Sequence, residues 1–120
     1  MNCECKCNDN TIKCVFSKTK TLTFNFDSDL DEYSAQFVVR KDLNTPAVLS
    51  KTINDLEGKS FDVTLTPQDN SVYTFANNED MNEYIWGLDL FKQGERIQVF
   101  PKTGANAPHF LVFKNVVVNQ

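Results

Sequence analysis

The stretch Tyr84-Ile85-Trp86-Gly87-Leu88-Asp89-Leu90-Phe91 holds the chain's single tryptophan and alternates in the way that is typical of a β-strand. A period of two divides it into two faces, one with Tyr84, Trp86, Leu88 and Leu90 and the other with Ile85, Gly87, Asp89 and Phe91. The face that carries Trp86 is the more apolar, so Trp86 is expected to pack in the core rather than to bind a ligand. The stretch is therefore predicted to form a central strand.

Strand patterns continue on both sides of this stretch. A hairpin is predicted directly after it, because Lys92-Gln93-Gly94-Glu95 is a short connection with a glycine, followed by the β-like residues 96–100. Other strand patterns cover residues 12–16, 21–26, 33–41, 47–53, 61–66 and 110–118. In residues 21–26 the apolar side chains alternate strictly with polar ones, which predicts that Leu22, Phe24 and Phe26 face inward. Residues 110–118 are apolar on both faces, as expected for an inner strand.

Seven to eight short strands at even spacing predict an all-β fold, an antiparallel β-sandwich. The chain has 120 residues, which suits one domain with a core of its own. Residues 19–120 are predicted to form this single β-sandwich domain, and residues 1–18 a cysteine-containing N-terminal segment with an edge strand. The periodicity fails between residues 71 and 83, where residues 76–82 are predicted to form a loop with one helical turn.

The charge of the chain argues against two classes of partner. Lys and Arg number 12 against 16 Asp and Glu, giving a net charge of −4, and the basic residues are scattered instead of forming the patch that binds nucleic acid. No apolar run reaches the about 18 residues of a membrane span. The N-terminus lacks the apolar region of a signal peptide, so secretion by that route is not expected.

All four cysteines lie in the first fourteen residues, as Cys3, Cys5, Cys7 and Cys14. Cysteines two residues apart in an extended segment make poor disulfides, because their Cα atoms lie near the upper limit of bridging geometry. A loop could gather the four thiolates around one zinc ion, although the spacing lacks the paired C-x₂-C knuckles of structural zinc sites. The favoured interpretation is that they are reduced, partly exposed thiols in a peripheral N-terminal strand. No cofactor is therefore predicted, and zinc is the alternative.

Catalytic motifs are absent from the sequence. The single histidine, His109, follows Pro108, and there is no G-x-S-x-G, no H-E-x-x-H and no Gly-rich phosphate loop. The stretch Asp27-Ser28-Asp29-Leu30-Asp31-Glu32 begins like a calcium loop, but Glu32 and Val38 stand where an EF-hand has Gly and Glu. A solvated acidic turn is the better interpretation. The chain is predicted not to be an enzyme.

Four segments in order resemble a known family. They are Thr21-Leu22-Thr23-Phe24-Asn25-Phe26, Tyr33-Ser34-Ala35-Gln36-Phe37-Val38-Val39-Arg40-Lys41, Val63-Thr64-Leu65-Thr66-Pro67-Gln68-Asp69 and Tyr84-Ile85-Trp86-Gly87-Leu88-Asp89-Leu90. Together they resemble small immunoglobulin-like domains of phage and prophage tails, including the N-terminal domain of phage baseplate upper proteins. The resemblance spans roughly residues 19–118 and carries no catalytic residues.

This resemblance implies an immunoglobulin-like sandwich that acts as a structural or assembly module. Its partners would be other tail or baseplate proteins or further copies of itself, and it would pass from the bacterial cytoplasm into the virion. The alternative function is a carbohydrate-binding or other ligand-binding sandwich, indicated by the many aromatic residues. That alternative requires two or three exposed, coplanar rings.

Overall fold

The computed structural model describes the backbone of residues 3–4, and it describes residues 11–75, 79–101 and 106–114 in full. These residues form nine β-strands and one short 3₁₀ helix: β1 (Cys3–Glu4), β2 (Ile12–Val15), β3 (Lys20–Phe26), β4 (Ser34–Arg40), β5 (Ala47–Ile53), β6 (Ser60–Leu65), the 3₁₀ helix (Asp69–Ser71), β7 (Met81–Lys92), β8 (Glu95–Phe100) and β9 (His109–Phe113). The prediction of an all-β fold is confirmed, but the described residues hold nine strands instead of the seven to eight predicted, because the two-residue β1 has no alternation to reveal it.

The strands form two sheets. The smaller has the order β1-β3-β6, and the larger has the order β2-β9-β7-β4-β5, with β8 also paired to β7. The pairs are antiparallel except for β2 and β9, which run parallel with Ile12 opposite Phe110. The N-terminal segment thus supplies an edge strand to each sheet, β1 beside β3 and β2 beside β9.

The central strand of the larger sheet is β7, and it is longer than the sequence predicted. It begins at Met81 rather than Tyr84, because its first residues pair with β9, where Met81 lies opposite Phe113. One edge of β7 pairs with β4. The other edge is shared, since β9 pairs with its first half and β8 with its second half.

The inward faces of the two sheets meet in a core of aromatic rings. The ring centroid of Phe24 on β3 lies 6.4 Å from that of Phe37 on β4 and 5.8 Å from that of Trp86 on β7. Leu22 and Phe26 are buried beside Phe24, as their alternation predicted. The prediction for the opening stretch is also confirmed, because Tyr84, Trp86, Leu88 and Leu90 are all buried. The two sheets therefore pack face to face, like a sandwich.

The connection between β7 and β8 is a two-residue turn, with Lys92 opposite Glu95. Both turn residues have positive φ, 52° at Gln93 and 84° at Gly94. Two consecutive residues with positive φ are the mark of the type I′ turn, whose twist suits a β-hairpin. The predicted hairpin is confirmed.

The described residues contain one helical turn, in a place where the sequence predicted none. It spans Asp69–Ser71, whereas residues 76–78 of the predicted turn lie outside the described residues. The Thr66 N–H donates to Asp69 Oδ2 at 2.9 Å and the Asp69 N–H donates to Thr66 Oγ1 at 3.1 Å, a reciprocal pair like that of a capping box. These two bonds start the turn directly after β6.

Candidate functional site

The outer face of the larger sheet carries a cleft of about 340 Å³. We call it the Arg40 cleft. Its floor contains Val38 of β4 with Ile85 and Gly87 of β7, and its walls include Arg40, Leu43 and Arg96. Its volume lies at the lower end of the range of small-molecule sites. The same volume is large enough for a few side chains of a partner protein.

The cleft exists because Gly87 has no side chain at the centre of β7. On the β4 edge of β7, Gly87 lies opposite Val38. On the β8 edge it lies next to the end of β8, where Phe100 is opposite Leu88. A Cβ atom at Gly87 would stand 3.1 Å from the carbonyl oxygen of Phe100, closer than most Cβ contacts. Glycine therefore allows the end of β8 to approach β7 and leaves the middle of the floor bare.

Two arginines line the cleft, and they differ in their partners. The Nε of Arg96 donates to Oδ2 of Asp89 at 2.9 Å, so the charge of Arg96 is balanced within the cleft. The Nη1 of Arg40 donates to the carbonyl oxygen of Thr45 at 3.2 Å. In the part of the chain that the structure describes, no carboxylate lies within ion-pairing distance of Arg40. Arg40 is thus the half-buried cation of the cleft whose charge is not balanced.

Leu43 forms an apolar rim beside Arg40 and has 72% of its surface exposed. It lies in the turn between β4 and β5, which is closed by hydrogen bonds around Asp42. The Asn44 N–H donates to Asp42 Oδ1 at 2.8 Å, and Thr45 Oγ1 donates to the Asp42 carbonyl at 3.0 Å. A second, shallower depression of about 360 Å³ continues past Leu43 to Ile85 and Ala107. The turn therefore holds an exposed aliphatic side chain over an apolar surface.

The aromatic residues do not form a binding platform. All ten phenylalanines, three tyrosines and the tryptophan lie in the described residues, and each is buried or half-buried. Trp86 has 1% of its surface exposed and Tyr84 has 4%. The prediction that Trp86 belongs to the core is confirmed, and no stack of exposed rings is available to a sugar.

Of the four cysteines, Cys14 is the one whose side chain is described, and it is buried and unpaired with another cysteine. Burial raises the pKa of its thiol to about 12, while the charge of Lys20 lowers it only in part. The thiolate that a metal ion requires is therefore disfavoured at Cys14. The side chains of Cys3, Cys5 and Cys7 lie outside the described residues, so zinc binding by the four cysteines stays a prediction.

The other acidic and basic candidates lie on the surface. Nδ1 of His109 is 2.6 Å from Oε1 of Glu83, and both side chains are more than half exposed. Asp27, Asp29, Asp31 and Glu32 are exposed, as predicted for an acidic turn. Among the described residues, no three His, Cys, Asp or Glu side chains are grouped closely enough to hold a metal ion.

The Arg40 cleft was not found from the sequence. Its residues come from β4, β7, β8 and two turns, and no local motif joins them. The one available signal was Gly87, a glycine in the interior of a strand pattern, which marks a bulge or a close approach of the backbone.

The described residues contain no helix that is long and apolar enough to cross a membrane. Comparison of the chain with models of protein families and with curated proteins found no match.

Proposed function

We propose that this chain is a non-enzymatic module that acts through protein–protein contacts, and that the Arg40 cleft makes these contacts. The observation that carries the proposal is the position of Leu43, exposed in a closed turn, next to the unbalanced charge of Arg40. An exposed aliphatic side chain loses contact with water when a partner covers it. Arginine is enriched at interfaces, because its guanidinium group makes several hydrogen bonds from one position.

The strand order supports an immunoglobulin-like sandwich as the fold of this module. In that fold, strands A, B and E share one sheet, and strands C, C′, F and G share the other. The pairing of β1, β3 and β6 corresponds to A, B and E. The pairing of β4, β5 and β7 with β8 and β9 corresponds to C, C′ and F, with G divided into two strands.

Two contacts around β7 also favour this fold. The Thr74 N–H donates to the hydroxyl of Tyr84 at 3.3 Å, which resembles the tyrosine corner near the start of strand F. Trp86 follows Tyr84 by two residues, which is the position where antibody domains have the second cysteine of their disulfide. Its contact with Phe24 joins the two sheets where that disulfide would otherwise do so.

The edge of the larger sheet favours binding through its face rather than by addition of a strand. Lys51 of edge strand β5 lies on the same side as the buried Leu49, and its Nζ is 2.8 Å from Oδ2 of Asp69. A charged side chain that points inward on an edge strand opposes pairing with another chain. A partner is therefore better accommodated over the outer face.

The resemblance of the four segments to phage tail domains supplies the biological context of the proposal. In this context the chain attaches to the tail or baseplate of a virion, with other tail proteins or a second copy of itself as partner. It is made in the bacterial cytoplasm and ends in the virion. A small-ligand site is the second candidate function, and the volume of the Arg40 cleft is the observation that favours it.

The proposal is tested by co-expressing the chain with the products of its neighbouring genes and measuring the mass of the purified species. We expect an oligomer or a stable complex with a tail protein. Leu43→Asp and Arg40→Glu should each weaken it, while Lys59→Glu, a charge reversal at an exposed position away from the cleft, should not. A strict monomer that co-purifies with no tail component would refute the proposal.

A further inference from the structure

We infer that the partner enters the Arg40 cleft with an extended segment in which a carboxylate lies next to an aliphatic side chain. In this arrangement Arg40 binds the carboxylate, and Leu43 and Ile85 contact the aliphatic group. The inference rests on the proposed function and specifies the chemistry of the partner. It follows from three properties of the cleft, namely its charge, its apolar rim and its distance from the acidic turns of the chain.

The positive charge of Arg40 favours an anionic group bound beside it. The guanidinium group has five N–H donors, and the structure gives one of them a partner, the Thr45 carbonyl. A planar carboxylate can accept two parallel hydrogen bonds from such a group, which is the strongest arrangement available to it. Arg96 is less suited to this role, because Asp89 already occupies its Nε.

The apolar rim at Leu43 favours an aliphatic group close to that anion. Leu43 belongs both to the Arg40 cleft and to the shallower depression that leads to Ile85 and Ala107. An aliphatic side chain placed there removes apolar surface of both partners from water. A free phosphate or a sugar would leave this surface exposed, so a peptide segment fits better.

The acidic turns of a second copy do not offer this combination. Asp31, Glu32, Asp55 and Glu57 surround a depression near the start of β4, whereas the Arg40 cleft lies toward its other end. The leucines in these turns, Leu30 and Leu56, have 0% and 4% of their surface exposed. They supply carboxylates without an accessible aliphatic neighbour. Asp42 precedes the exposed Leu43, but its Oδ1 already accepts the Asn44 N–H within its own turn, so a different protein is the favoured occupant.

The test uses the peptide acetyl-Gly-Ser-Leu-Glu-Leu-Gly-amide, its Glu→Gln twin and nitrogen-15 NMR spectra of the folded chain. We expect the Glu peptide to shift the amide signals of Leu43, Ile85 and Gly87 and to bind at least about tenfold more tightly than the Gln peptide. Arg40→Ala should remove most of that difference. Lys59→Ala is the matched control and should leave the affinity unchanged. Asp89→Asn should strengthen binding about threefold or more, because it frees Arg96.

Three results with the peptides would overturn the inference. They are equal binding of the two peptides, shifts that lie outside the cleft, and no shifts at millimolar peptide. Concentration-dependent shifts of the same amides without peptide, abolished by Arg40→Glu, would identify a second copy as the occupant and would also overturn it. The proposed function fails separately. A complex with a tail protein that Leu43→Asp disrupts would uphold the function even if the peptide does not bind.

Discussion

The ring of Phe24 on β3 lies 5.8 Å from the ring of Trp86 on β7, and this contact joins the two sheets at the centre of the core. Trp86 also contacts Phe37 on β4 at 5.6 Å and Phe100 on β8 at 4.8 Å. One side chain therefore holds rings from three other strands. This position explains why the strand with the single tryptophan is the one around which the fold is organised.

Replacing Trp86 with alanine should lower the free energy of unfolding by about 3–5 kcal/mol, because it leaves a cavity between these rings. Urea denaturation measures the change. Phe91→Ala is a suitable control, since Phe91 lies on the outer face of the same strand and is half-buried, and it should cost less. A Trp86→Ala variant with an unchanged midpoint would show that the contact with Phe24 does not stabilise the core.

Replacing Gln93 with asparagine should stabilise the hairpin between β7 and β8. Gln93 has a φ of 52° and precedes Gly94, and a left-handed backbone costs most side chains about 1–2 kcal/mol but costs asparagine less. We expect a gain of about 0.5–1 kcal/mol in the free energy of unfolding, measured by thermal and urea denaturation. Gln93→Val should act in the opposite direction. If both variants had the same stability, backbone strain at position 93 would not be the cause.

The ion pair of Asp69 with Lys51 should make stability depend on acid pH. Partial burial raises the pKa of Asp69, but hydrogen bonds from Lys51 and Thr66 outweigh burial, so the pKa lies below its ordinary value. A carboxylate whose pKa is lower in the folded chain than in the unfolded chain stabilises the fold at pH values above its unfolded pKa, which is near 4. This stabilisation is lost as the pH falls through the folded pKa.

Between about pH 5 and about pH 2, the wild-type chain should therefore lose more stability than the Asp69→Asn variant. Urea midpoints at several pH values give the two slopes. Asp29→Asn removes the same formal charge from an exposed turn and controls for the change in net charge. Parallel curves for wild type and Asp69→Asn would exclude a contribution from this pair.

The thiol of Cys14 should resist alkylation in the folded chain. It is buried on the inner side of β2, and burial raises its pKa to about 12, so little thiolate is present near neutral pH. Mass spectrometry after iodoacetamide treatment should find Cys14 unmodified in native protein and modified in concentrated urea. Modification at the same rate in both conditions would place the thiol outside the core.

The local parts of this fold were predictable from the sequence. Alternation over residues 21–26 and 84–91 gave the correct inward faces, and a glycine in a short connection gave the hairpin, because both signals come from neighbours in the chain. The weakly patterned strand β5 was also located, although Leu49 is its one buried residue.

The non-local parts were not predictable. The parallel pairing of β2 with β9 and the sharing of one edge of β7 by two strands depend on residues far apart in sequence. The Arg40 cleft likewise depends on residues that are far apart in sequence. Arg40 and Leu43 looked like ordinary strand and turn residues, and they acquired a common surface with Gly87 only when β4 and β7 paired.

The position of β9 between β2 and β7 has a consequence for how the chain folds. Ile12 pairs with Phe110, so the edge strand β2 joins the larger sheet only when distant parts of the chain have met. Such long-range closure gives a high contact order, for which folding in milliseconds to seconds is typical, compared with microseconds for helical bundles. During that delay β7 lacks its partner along residues 81–85, and the chain depends on residues 109–113 to complete its sheet.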